Sequence, residues 1–71
     1  MSDFITKQIE ARQRAWSEAR AMLDAAAAEN RDLTAEEREK YDRISADLDS
    51  RAQFIKDVQA AEAREAEIAR S

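Results

Sequence analysis

Apolar residues recur at alternating spacings of three and four in two blocks of the chain. In the first block Ile5, Ile9, Trp16, Ala19, Leu23 and Ala26 share a stripe with Arg12, and in the second Tyr41, Ile44, Leu48, Ile55 and Val58 share one with Arg51. Side chains three and four apart stand on one face of an α-helix, so each stripe is the seam of a coiled coil. The pattern predicts a helix over about residues 3–29 and a second over about 35–69. After Val58 the seam positions pass to Glu62 and Glu65, and the stripe weakens toward the C-terminus.

Between the blocks stands Asn30-Arg31-Asp32-Leu33-Thr34. Thr34 followed three residues later by Glu37 matches a capping box, in which hydroxyl and carboxylate satisfy free amides at a helix start. A new helix therefore begins near Ala35. Asn30 is the expected end of the first helix, because asparagine tolerates the left-handed conformation that often closes a helix where glycine is missing.

So short a link favours an antiparallel pair. The two seams support that direction, because the pairs Leu23 with Tyr41, Trp16 with Leu48, Ile9 with Ile55, Ala19 with Ile44 and Ile5 with Val58 keep a nearly constant index sum. These residues, with Leu33 beneath the link, form the expected hairpin core. Trp16 is expected to fill the seam opposite Leu48. Arg12 and Arg51 meet in one layer, where two buried like charges would be costly, so both are expected to reach outward to acids such as Asp47. The competing arrangement is one continuous helix in a parallel dimer, which would have to run through the capping signal.

One flank of the seam carries Ala15, Met22, Phe54, Ala61 and Ile68, whereas the other carries Thr6, Gln13, Arg20, Ser45 and Gln59. Two helices cannot enclose a core, so the more apolar flank is expected to pack against further hairpins in a helical bundle. Ala15, Met22, Phe54, Ala61 and Ile68 are the candidate contacts between subunits.

The composition strengthens the helical reading and narrows the chemistry. The chain has 71 residues with no Gly, Pro, Cys or His, and charged residues make up 39% of it at a net charge of -4. Chains this short rarely bury enough surface to be robust alone, and without thiols or imidazoles neither a disulfide nor a zinc centre is expected to help. Association with other chains remains. Opposite charges stand four apart at Glu10 and Arg14, Arg20 and Asp24, Glu36 and Lys40, Glu39 and Arg43, and Asp47 and Arg51, the pattern of a solvated helix face. That mixed face is not the basic stripe of a nucleic-acid or membrane binder, and no segment has the length of apolar run that spans a bilayer. Asp47 and Asp49 point to different sides of a helix and make no metal cage. With carboxylates in abundance but no His, no Cys, no glycine loop and no concave fold in which to shift a pKa, no enzyme and no cofactor are expected. Binding to another protein is what this composition leaves.

The stretch Leu23-Asp24, the alanines at 25–28, Glu29-Asn30-Arg31-Asp32-Leu33-Thr34-Ala35-Glu36-Glu37 and the later Tyr41-Asp42-Arg43-Ile44 resembles the N-terminal delta region of Hong Kong 97-type tailed-phage major capsid proteins. Over about Ile5 to Ala60 it shares the order of an alanine-rich helix, a short polar link, a Leu-Thr-Ala-Glu-Glu helix start, then an aromatic and spaced aliphatics. The resemblance implies a scaffolding segment acting inside the procapsid in the host bacterial cytoplasm. It further implies assembly with copies of itself, attachment to a capsid shell domain, and removal by a maturation protease. The shell-forming domain is missing from these residues, so the reading makes them an N-terminal piece of a longer subunit. A free-standing adaptor or regulator that docks on another protein is the alternative.

Overall fold

The computed structural model describes residues 3–70, folded as two α-helices and a tight link. Helix α1 runs Asp3–Ala28 and helix α2 runs Ala35–Arg70. They pack along one another as an antiparallel all-α hairpin about 60 Å long and 17 by 14 Å across. Neither helix contains a residue that breaks the backbone ladder, and both start with carboxylates, Asp3 in α1 and Glu36 with Glu37 in α2, facing the positive end of the helix dipole.

The link shows how the chain reverses without glycine. The Asn30 amide donates to the Ala27 carbonyl at 3.0 Å and the Arg31 amide to the Ala26 carbonyl at 3.0 Å, the bond pair of a Schellman closure. That closure needs a left-handed residue, and Asn30 takes it with φ at 55°. Four residues later the Glu37 amide donates to Thr34 Oγ1 at 3.1 Å, while the Thr34 amide donates to Glu37 Oε1 at 2.9 Å. Both halves of the capping box are thus closed, and α1 stops one residue before the expected end because Glu29 and Asn30 form the turn.

Arg31 ties the two caps together. Its guanidinium donates to Glu37 Oε1 at 2.9 Å, to the Asp32 carbonyl at 2.9 Å and to Glu29 at 3.3 Å. The Arg31 bond, followed by the Thr34 amide, holds the Glu37 carboxyl below its ordinary value of 4.5. A carboxylate with a lowered folded value adds stability that is present above the unfolded value and is lost as pH falls through the folded one. Stability is therefore expected to decline as pH drops below about 4.5, and Glu37→Gln, which keeps the cap geometry without the charge, should flatten part of that decline in acid titrations followed by circular dichroism. Thr34→Ala removes the hydroxyl acceptor and is expected to cost about 1 kcal/mol in urea unfolding.

The core is thin. Ile5, Ala19, Ala26 and Ile55 are the buried hydrophobic residues, at 1%, 0%, 5% and 7% exposure. Ile9, Leu23, Leu33, Tyr41, Ile44, Leu48 and Val58 are each half-buried, since a seam side chain between only two helices keeps one edge in water. Three of the five expected ion pairs four apart are closed, Arg20 with Asp24 at 3.0 Å, Glu39 with Arg43 at 3.8 Å and Asp47 with Arg51 at 2.7 Å, and Arg38 with Asp42 adds another at 3.9 Å. These exposed pairs contribute little each.

Candidate interaction surfaces

The largest departure from a closed seam is at Trp16. Its indole stays 44% exposed and lines an open groove of about 380 Å³ with Ile9, Arg12, Gln13 and Leu48. The expectation that Trp16 would fill the seam opposite Leu48 is corrected in this respect: both line the groove, but the ring is too broad for a single helix-helix interface to cover. The groove opens on the flank of Gln13, which the sequence pattern had marked as the more polar one.

The arginine layer explains why the groove opens there. Arg51 turns to the flank of Gln8 and Asp47, donating to Gln8 Oε1 at 2.9 Å and to Asp47 at 2.7 Å. Arg12 goes into the Trp16 groove instead. The two charges thereby leave the layer in different directions, as Coulomb repulsion in a half-buried position requires. Arg51 reaches an acid as expected, whereas Arg12 Nε is a buried nitrogen with no hydrogen-bond partner among the described residues. The expectation that both arginines find acids is corrected for Arg12, because its own flank supplies none to that nitrogen.

The apolar flank is more occupied than its residue types imply. Phe54, expected to face another subunit, meets Phe4 edge to face with ring centroids 5.4 Å apart, though it keeps 52% exposure. Phe4 is itself 37% exposed and stands one turn before Gln8 on the same face, a spacing visible in the sequence but outside the seam pattern. Nearer the link, Met22 is half-buried beside Glu36, Glu37 and the stem of Lys40, and Ala15 is half-buried as well. Ala61 and Ile68 behave differently: both are exposed, Ile68 at 67%.

Their exposure follows from the lengths of the helices. Asp3 of α1 lies level with about residue 60 of α2, so residues 61–70 continue as a helix beyond the hairpin, and every one of them is exposed. This tail projects by about 15 Å at the ordinary helical rise. It carries Glu62 and Glu65 where the seam would continue, with Ala61 and Ile68 beside them.

Among the described residues no cluster of metal-ligating side chains is present, and no helix is long and apolar enough to cross a membrane. Compared with protein-family models, curated proteins and solved structures, the chain matches none.

Proposed function

We propose that the chain is an assembly module that joins copies of itself through helix packing, in the manner of the scaffolding segment that the resemblance to capsid delta regions implies. The observation that carries the reading is an unfinished core. Among the described residues only four apolar side chains are buried while Trp16, Phe54 and Ile68 remain largely open, and one helix overhangs the other. Apolar surface of this kind is stabilised by contact with further helices. In the finer form of the proposal, copies cluster inside a procapsid, each attached to a shell domain, and a maturation protease removes the segment afterwards.

Sedimentation velocity from about 10 µM to 1 mM tests the general form, with reversible growth in mass expected. A strictly monomeric hairpin across that range would sink it and leave docking on an unrelated protein as the use of the same surface. The finer form is tested by the intact mass of the gene product in the producing cell, before and after particle assembly. A segment that begins in a much larger chain and is lost on maturation supports it, and one that exists only as the 8.1 kDa polypeptide overturns it.

A further inference from the structure

The free end of α2 carries a face that reads alike in both directions. Phe54, Asp57, Ala61, Arg64 and Ile68 follow one another at spacings of three and four and so share one side of the helix. Their order is apolar, acidic, small, basic, apolar, with Ala61 at the centre. Residues seven apart lie almost in line along a helix, so Phe54, Ala61 and Ile68 form one column and Asp57 with Arg64 form the column beside it. All five are exposed, and a shallow groove of about 260 Å³ is lined by Asp57, Ala60, Ala61 and Arg64. Phe54 keeps 52% exposure despite its contact with Phe4, and Asp57 Oδ1 accepts from Gln53 Nε2 at 3.0 Å, a bond that a carboxylate can hold together with a guanidinium.

Resting on the self-assembly reading, we propose that two copies pair through this face, α2 against α2 and antiparallel, with a two-fold axis at Ala61. A two-fold interface needs a surface complementary to itself, in which each contact occurs twice. Reversal about Ala61 sets Phe54 level with the partner's Ile68 and Asp57 within one residue of the partner's Arg64. Such an axis brings each column against its own copy, so apolar groups meet apolar groups and each carboxylate meets a guanidinium. The small side chains at Ala60 and Ala61 let the backbones approach in the middle, where the groove lies. Most of the overlap falls on residues 61–70, which have no α1 beside them to obstruct a second hairpin. The contact spans about 20 Å of helix, a small area that suits a weak, concentration-dependent dimer. A second copy is the occupant this face describes, because its charges and its apolar ends match themselves.

Sedimentation of the full chain with single reversals tests the pairing. Asp57→Arg or Arg64→Asp should each weaken the dimer about tenfold or more, and the two together should restore it, while the helicity of the dilute chain stays unchanged. The chain has no cysteine, so Ala61→Cys gives a single thiol, which should cross-link to its copy under mild oxidation. Ala63→Cys, exposed on the opposite side of the helix, should cross-link far more slowly. If the copies associate but the reversals have no effect, or the two thiols cross-link alike, this contact is overturned while self-assembly stands. No association up to 1 mM removes both readings.

Discussion

Replacing Ile55 with alanine is expected to lower the stability of the monomeric hairpin by about 2–4 kcal/mol, enough to unfold a large share of it at room temperature. Ile55 is 7% exposed and is the buried seam residue of α2, which the seam pattern sets opposite Ile9. Truncation removes three carbons from the place where α2 is most covered and leaves a gap that two helices can only partly close. In a chain of 71 residues the core rarely supplies more than about 3–5 kcal/mol in total, so one such loss consumes most of it. Helicity by circular dichroism and the urea midpoint check this directly. Ile68→Ala, at 67% exposure, should leave both almost unchanged in dilute solution. An Ile55→Ala variant that melts like the parent would mean that the helices are not held together by this seam.

The elements were legible because they rest on short-range chemistry. The capping box joins residues three apart, and the turn at Asn30 needs only a residue that tolerates positive φ, so both can be read along the chain without knowing what packs where. The antiparallel direction was legible for a related reason: a link this short leaves the second helix to fold back along the first. Side-chain direction was not legible. Spacing places Arg12 and Arg51 in one layer but does not say that Arg51 finds Gln8 and Asp47 on one flank and Arg12 lies with Trp16 on the other. Phe4 escaped the seam pattern altogether, since it sits beside the stripe and is fixed by the ring of Phe54 fifty residues away. Arg31 reads as an ordinary polar link residue until the two caps it joins are seen side by side.

These particulars bear on function more than the fold does. A uniformly closed seam would give a spacer that holds two ends apart. A seam left open at Trp16, in a hairpin whose longer helix overhangs its partner, leaves apolar surface uncovered at two separate places. In the sequence these two places stand as an odd charge in a heptad and a fading stripe, features that alone read as weaknesses of a coiled coil.

The second large effect is expected at Ala19, where Ala19→Leu should destabilise the hairpin by about 1–3 kcal/mol although leucine is nearly as good a helix former as alanine. Ala19 is 0% exposed, the most covered of the buried residues, and the seam register sets it opposite Ile44. At that level the helix backbones approach closely because one side contributes only a methyl group, and three more carbons must either push the helices apart or force strained rotamers. Splaying there would also loosen the Trp16 layer on one side and the Leu23 layer on the other, so the loss should appear as a lower melting temperature with helical signal retained at low temperature. Ala27 supplies the control: it lies two turns along the same helix but is exposed, and Ala27→Leu should change stability by less than about 0.5 kcal/mol. Equal behaviour of the two variants in urea unfolding would show that the helices do not touch at Ala19, and would remove the close approach on which the register depends.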